Sequence, residues 1–381
     1  MRNNFLFYFE TLKNSPYSSS SSSSDLFFIL NSSERKNLYF GTFVPDGNPK
    51  RFWNLSNKSI SKLKKQGKII VLDSMHEGFS TLYDKPNIKE IYKTCKEYSL
   101  SSKQIVYVTM NLKEQDNIDW FSNENNLEKI NLLSLPFGHL EVYRDIKKYD
   151  LTLEKTKLES YNNHSDKICL NLNYRHRQPR AAIAFYLCTS PISHHCLISH
   201  QDKYKTNNRS IQFPNRTKLQ EIDFGNITPL DIDKGEKTNL DLYKSTIFEV
   251  VGETLADDWL GTSREVSEKT FKPIVNFQPF VIYGQKGCNH FLKELGYKTY
   301  EDWFDLSFDF IDDPEERVIA LCKSVEKKIM KLSQMTRKQR IEWRFKNETV
   351  LQHNYECFFK NVDNIQEKTR AFFSEIASQN C

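Results

Sequence analysis

The sequence predicts an α/β protein with two parallel β-sheets, and three observations support this class. Short runs of β-branched and aliphatic residues alternate with segments of helical periodicity along much of the 381-residue chain. A polar and charged stretch at 145–166 separates two such alternating halves. The residues from 314 onward carry an amphipathic helical pattern rich in charge. Because strand–helix–strand units join parallel strands, each half predicts a parallel sheet of its own.

The N-terminal half contains one clear strand–helix–strand unit. The run KIIVL at 68–72 predicts a buried strand, residues 87–98 have helical spacing, and QIVYVTMN at 104–111 predicts the next strand. Further strands are predicted at 25–30, 37–44 and 130–136. The serine run at 18–24 cannot pack in a core, so it predicts a flexible loop.

The C-terminal half repeats the alternation. The predicted strands and helices follow one another at 167–173, 180–187, 245–254, 265–277, 279–284 and 289–295. Pro179 falls in the first turn of its helix, where a missing N–H group is tolerated. Pro273 is compatible with its helix only if that helix begins near residue 268. Residues 200–240 predict a long polar loop.

We therefore expect two Rossmann-like domains that face a cleft, followed by a helical tail. The predicted ranges are 1–150, 151–313 and 314–381. In open α/β sheets, ligands bind at the carboxyl ends of the strands. Candidate functional residues are therefore expected in the loops at 73–78, 173–180 and 253–268.

Composition excludes several classes of protein. With 54 basic and 49 acidic residues, the chain is too balanced for a dedicated nucleic-acid binder. Its eight cysteines form no Cys-x-x-Cys pair and no zinc-site spacing, so no metal is expected. No apolar run is long enough for a signal peptide or a membrane span, which predicts a cytoplasmic protein. The P-loop, dinucleotide, nucleophile-elbow and HExxH motifs do not occur.

A basic turn between a predicted strand and helix is the first candidate site. It contains Asn173, Arg175, Arg177 and Arg180. Helix N-termini attract phosphate, and each guanidinium offers a planar fork to phosphate oxygens. The turn therefore indicates an anion site, although a solvated charged turn would have the same composition.

Carboxylates at the next strand end form the second candidate site. Glu253 ends the strand, and Glu268 and Lys269 open the following helix. Carboxylates can accept hydrogen bonds from sugar hydroxyls, and Lys269 can neutralise a phosphate. The alternative is that Glu268 complements the helix dipole and that Ser267 caps the helix.

The third candidate site follows the strand at 68–72. It comprises Asp73, His76 and Glu77, of which Glu77 is the preferred general base and Asp73 the second choice. An ordinary polar turn is the alternative interpretation of these residues.

The C-terminal half resembles the α-1,3-fucosyltransferase family in the order and spacing of three motifs. The first is Asn173 followed by Arg180 at the start of a helix. The second is YKSTIFEVVGET at 243–254, which contains Glu253. The third is Ser267-Glu268-Lys269 followed by PFVIYG at 279–284. The resemblance covers residues 165–285 and does not extend to the N-terminal half.

This resemblance implies a GT-B fold and a glycosyltransferase activity. It implies that the C-terminal domain holds a nucleotide-diphosphate sugar as donor substrate, that the anomeric carbon is inverted, and that no cofactor or catalytic metal is required. Arg180 would then stabilise the diphosphate, while Glu253, Glu268 and Lys269 would hold the sugar and the ribose. The acceptor would be a glycan or another hydroxyl compound.

Two other functions remain open from the sequence. The first is a non-catalytic glycan- or partner-binding module on the same fold. The second is a metal-dependent GT-A transferase. The second alternative would use Asp231 and Asp233, which are spaced as in a metal-binding DxD motif.

Overall fold

The structure confirms the α/β class with two parallel sheets. It is a computed structural model that describes residues 29–30, 38–42, 69–74, 80–82, 88–161, 167–173, 178–199, 240–253 and 261–379. These residues form two four-stranded sheets in which every pair of neighbouring strands is parallel. Both sheets are therefore of the kind that is expected to be covered by helices.

The described residues form two compact units that interleave along the chain. Unit 1 contains the described residues up to Phe137, residues 261–265 and the end of the chain from Asp363. Unit 2 contains the remainder, from Gly138 to 253 and from Val266 to Val362. The domain ranges 1–150, 151–313 and 314–381 stay predictions.

Unit 1 contains the first sheet, with strand order β1-β2-β3-β4. The strands are β1 (Leu38–Thr42), β2 (Ile69–Ser74), β3 (Ile105–Thr109) and β4 (Asn131–Ser134). Helix α1 (Ile88–Tyr98) connects β2 to β3, and helix α2 (Glu114–Glu124) connects β3 to β4. Apolar side chains of both helices are fully buried against the sheet, among them Ile91 and Ile118.

Unit 2 contains the second sheet, with strand order β6-β5-β7-β8. Its strands are β5 (Cys169–Leu172), β6 (Cys196–Ser199), β7 (Phe248–Gly252) and β8 (Phe280–Tyr283). The helices up to the last strand are α3 (Gly138–Tyr149), α4 (Leu153–Tyr161), α5 (Gln178–Thr189), α6 (Leu240–Lys244) and α7 (Glu268–Val275). Helix α8 (Cys288–Glu294) follows β8.

Three helices form the C-terminal part of the described chain, as the amphipathic pattern predicts. They are α9 (Pro314–Ser333), α10 (Arg337–Phe345) and α11 (Glu348–Gln379). The predicted apolar face of α9 is buried, at Val318, Leu321, Cys322, Val325 and Ile329. Helix α11 belongs to unit 2 up to Val362 and to unit 1 from Asp363 onward.

Several local predictions are wrong. The strand predicted at 25–30 does not continue to residue 30, because Ile29 is helical. Asp73 does not begin a turn, since it lies within β2 and pairs with Val108 of β3. The polar stretch at 145–166, where the boundary between the two halves was expected, contains the end of α3 and the whole of α4.

The structure also contains elements that the sequence analysis did not predict, namely α2, α3, α4, α6 and β6. In α2 and α4 the apolar residues do not form a clear face, which weakens the periodicity that identifies a helix. Strand β6 has only 4 residues. No helix within the described part of the chain combines the length and the apolar character that crossing a membrane requires.

Candidate functional site

The strand order of unit 2 creates a switch point between β5 and β7. The chain runs from β5 to β6 on one side and then returns to β7 on the other side of β5. Ligands in open α/β sheets bind at such a point, at the carboxyl ends of the strands. The residues that directly follow these two strands are Asn173 and Glu253. The two predicted donor-side loops therefore meet at this switch point.

The strands diverge where the switch point begins. Strands β5 and β7 pair at two positions, the second joining Leu170 to Glu249. Beyond that pair, the Asn171 side chain bridges the gap, since its Nδ2 donates to the carbonyl oxygen of Val250 at 2.7 Å. Asn173 Nδ2 donates in turn to Asn171 Oδ1 at 2.6 Å. The Oδ1 atom of Asn173 is buried and has no hydrogen-bond donor among the described residues.

Arg180 crosses from helix α5 to the end of β7. Helix α5 begins at Gln178, so Arg180 lies in its first turn, as predicted. The side chain is 2% exposed, and its Nε donates to the carbonyl oxygen of Gly252 at 2.8 Å. A Cβ atom at Gly252 would stand 2.9 Å from Arg180 Cγ. The absence of a side chain at Gly252 is therefore what allows the arginine to lie against the strand end.

Glu253 is anchored to the start of helix α7 by three hydrogen bonds. Its carboxylate accepts from the backbone N of Ser267 at 3.2 Å and from the Ser267 hydroxyl at 2.5 Å. The Thr270 hydroxyl donates the third bond, at 2.5 Å. Ser267 is also the N-cap of α7, as the alternative interpretation expected. The predicted role of Glu253 in holding a sugar hydroxyl stays a prediction, because the three bonds are to protein groups.

Glu268 and Lys269 are the partly exposed groups at this helix start. They form an ion pair of 2.8 Å, and their side chains are 22% and 25% exposed. Burial opposes the ionisation of Glu268, but the charges of Lys269 and Lys272 outweigh it and hold the pKa of Glu268 below its usual range. The carboxylate is therefore ionised at neutral pH and accessible to a ligand hydroxyl.

Helix α7 begins at Glu268, which is the start that the position of Pro273 predicted. A glycine in helix α3 contributes to the position of this helix start. Helices α3 and α7 pack together, and Gly138 is the first residue of α3. A Cβ atom at Gly138 would come within 2.8 Å of the backbone N of Glu268 and the backbone C of Ser267. Only glycine permits this approach, so Gly138 contributes to the placement of both residues. An isolated glycine in the sequence offered no signal for this role.

Several predicted site residues lie outside the described residues, so their placement stays a prediction. They are Glu77, His76, Arg175, Arg177, Asp231 and Asp233. Of Asp73 the structure gives only the backbone, at the carboxyl end of β2 in unit 1. Among the residues that are described, no cluster of three or more His, Cys, Asp or Glu side chains could hold a metal ion.

Unit 1 has a buried polar cluster at the carboxyl end of β3 that the sequence analysis missed. Its centre is Glu114, which has no exposed surface. The carboxylate accepts from Asn111 Nδ2 at 2.8 Å, from Asn117 Nδ2 at 3.0 Å and from the hydroxyl of Thr81. Burial raises the pKa of Glu114 to about 7, although these hydrogen bonds oppose the shift. The spacing of Asn111, Glu114 and Asn117 directly after a strand was the available signal.

We predict that Glu114→Gln removes a pH-dependent part of the stability. The folded protein keeps a proton on Glu114 up to about pH 7, whereas the unfolded chain releases it near its ordinary pKa of 4.5. The free energy of unfolding therefore falls as the pH rises through this window, by on the order of 3 kcal/mol, and this contribution is absent above it. Urea unfolding at pH 5 and pH 7.5 measures the effect.

The control for this experiment is Glu124→Gln, at an exposed position of the same helix. It is expected to keep the wild-type dependence of stability on pH. If Glu114→Gln shows the same dependence as the wild type, the assignment of a raised pKa to Glu114 is wrong.

A separate cavity of about 380 Å³ lies beside helix α8 in unit 2. Its lining includes His290, Asp305 and Phe310 and none of the predicted site residues. Lys293 at its wall forms an ion pair with Glu301. The cavity is therefore distinct from the switch point.

Comparisons with protein-family models, with curated proteins and with solved structures found no match to this chain.

Proposed function

We propose that this protein is a glycosyltransferase that binds a nucleotide-diphosphate sugar at the switch point of unit 2. The observation that carries the proposal is the bond from Arg180 Nε to the carbonyl oxygen of Gly252, next to Glu253. It supports a guanidinium held at the strand ends where ligands of α/β sheets bind. The resemblance of the motifs around Asn173, Glu253 and Glu268 to those of α-1,3-fucosyltransferases supports the same activity.

In the proposed reaction, an acceptor hydroxyl oxygen attacks the anomeric carbon of the donor sugar. The bond from that carbon to the diphosphate oxygen breaks, and the nucleoside diphosphate leaves with the bonding electrons. Arg180, with Arg175 or Arg177, stabilises the negative charge that grows on the diphosphate. Glu77 or Asp73 accepts the proton of the hydroxyl group. The proposal includes a GT-B fold, inversion at the anomeric carbon and no catalytic metal.

The remaining donor contacts follow from the accessible groups. Lys269 offers a positive charge to the diphosphate, and Glu268 offers a carboxylate to sugar or ribose hydroxyls, since both side chains are partly exposed.

Calorimetric titration with GDP, UDP and CDP, followed by donor hydrolysis with the matching nucleotide sugars, tests this function. We expect one nucleoside diphosphate to bind clearly more tightly than the others, and its sugar derivative to be turned over. Binding of none of the three nucleotides and turnover of none of the sugars would contradict the proposal.

A non-catalytic binding module is the second candidate, and the arrangement of Glu253 favours it. Ser267 and Thr270 donate three hydrogen bonds to the Glu253 carboxylate, so the residue also fits a purely structural role. Nucleotide binding without any donor turnover would support this candidate. Loss of donor turnover on addition of a metal chelator would support the GT-A alternative with Asp231 and Asp233.

We predict that Gly252→Ala weakens nucleotide binding about tenfold or more. The added methyl group would meet Arg180 Cγ at 2.9 Å, and overpacking of this kind costs roughly 1–3 kcal/mol. Titration of the variant gives the affinity, and a double-mutant cycle with Arg180→Ala, which removes the Cγ atom, tests the cause. If Gly252→Ala acts through Arg180, the two effects are not additive. Fully additive effects would refute that explanation.

A further inference from the structure

A short segment joins the buried cluster of unit 1 to the candidate site of unit 2 along the chain. Residues 261–265 belong to unit 1, whereas the described chain before and after them belongs to unit 2. Glu253 is the last described residue before this segment, and Ser267 is the second residue after it. Glu253 and Ser267, which are hydrogen-bonded to each other, thus lie on either side of this segment in the sequence.

Two asparagines hold the segment inside unit 1. The carbonyl oxygen of Thr262 accepts from Asn117 Nδ2 at 2.8 Å and from Asn111 Nδ2 at 3.2 Å. Asn111 Oδ1 accepts from the backbone N of Arg264 at 2.9 Å. The amide of Asn111 thus bonds the segment with both its donor and its acceptor, as a backbone peptide group does in a sheet.

The backbone next to Asn111 adds further bonds. The backbone N of Leu112 donates to the carbonyl oxygen of Arg264 at 2.9 Å, and Lys113 Nζ donates to that of Gly261 at 2.6 Å. Glu114 accepts from the Nδ2 atoms of both asparagines and thereby orients their side chains. Because Asn111 and Glu114 have no exposed surface, this arrangement is fixed by packing as well.

Only a short stretch of chain separates the held segment from the candidate site. Arg264 and Ser267 are three residues apart, a distance of at most about 11 Å even in a fully extended chain. Ser267 donates two of the three hydrogen bonds to the Glu253 carboxylate and caps α7. Release of Arg264 therefore removes one of the constraints on the chain that precedes Ser267.

We propose that Asn111 is a positioning residue for the candidate site, which acts through residues 262–267. By holding Thr262 and Arg264, it fixes Ser267, and Ser267 fixes the Glu253 carboxylate at the switch point. The consequence for donor binding rests on the proposed function, but the consequence for the order of the segment does not.

The test compares Asn111→Ala with Asn131→Ala by hydrogen exchange and nucleotide titration. Asn131 is a matched control, since its Nδ2 also donates to two backbone carbonyl oxygens, those of Lys103 and Ile105. We expect amides in 266–275 to exchange about tenfold faster in Asn111→Ala than in the wild type and the control. We also expect the Kd for whichever of GDP, UDP and CDP binds the wild type to rise by a similar factor.

Faster exchange confined to 109–117 and 261–265, with 266–275 unchanged, would overturn the inference. If Asn111→Ala does not fold, Asn117→Ala decides, because it removes one bond to Thr262 and leaves Asn111 intact. If the wild type binds none of the three nucleotides, the proposed function fails, but the exchange of 266–275 still decides whether Asn111 positions Ser267.

Discussion

Replacing Arg180 by lysine is expected to reduce donor turnover about 100-fold to 1000-fold. Lysine keeps the positive charge, but it has no planar fork and no Nε–H group to bond the carbonyl oxygen of Gly252. The growing charge on the leaving diphosphate then loses a donor that is fixed before the reaction begins. Steady-state kinetics with the nucleotide sugar identified by the binding panel measure kcat and kcat/KM.

The control for Arg180→Lys is Arg340→Lys on helix α10. Arg340 Nε also donates to a backbone carbonyl oxygen, that of Met335 at 3.2 Å, but it takes no part in the candidate site. We expect this control to keep wild-type turnover, and both variants to keep the wild-type circular dichroism spectrum. Full activity of a folded Arg180→Lys variant would remove Arg180 from the mechanism.

Replacing Arg344 by methionine is expected to destabilise unit 2 by about 3 kcal/mol. The Arg344 side chain is 1% exposed, and burial lowers its pKa to about 10, so it is still charged at neutral pH. It donates to the carbonyl oxygens of Thr246 at 3.3 Å and Phe277 at 2.5 Å, and to the hydroxyl of Ser160 at 3.2 Å. Methionine fills much of the space but supplies no hydrogen-bond donor to replace those of the guanidinium.

Thermal unfolding measures this effect. For a unit of this size, a loss of 3 kcal/mol corresponds to a fall in Tm of roughly 6–12 °C. Arg340→Met, on the same helix and only partly buried, is the control and is expected to change Tm by much less. An unchanged Tm in Arg344→Met would show that the buried arginine contributes no net stability. Replacement of buried charges by apolar residues is neutral in some proteins, because it also removes the cost of burying the charge.

The sequence was sufficient for the elements with a strong apolar pattern. Strands β2, β3, β7 and β8 are runs of buried aliphatic and aromatic residues, and helix α1 has an apolar face at regular spacing. It was not sufficient for α2, where the buried residues include Glu114 and Asn117. A charged residue in a sequence predicts a solvated position, and only the hydrogen-bond donors around Glu114 explain its burial.

The candidate site was predictable to the same degree. Asn173, Arg180 and Glu253 follow from their positions at strand ends and at a helix start, and the N-cap at Ser267 follows from its residue type. The anchoring of Glu253 by Ser267 and Thr270 could not be predicted, because it depends on how β7 and α7 pack. The close approach of Gly138 to Ser267 depends on tertiary contacts in the same way.

The interleaving of the two units has a consequence for biosynthesis. Residues 363–379, at the end of α11, belong to unit 1, where Arg370 Nε donates to the carbonyl oxygen of Ile29 at 3.2 Å. A nascent chain that has emerged from the ribosome only as far as residue 362 therefore holds all of unit 2 but lacks a piece of unit 1. Unit 2 can therefore reach its native state first. Unit 1 can complete its folding only after residues 363–379 have left the ribosome.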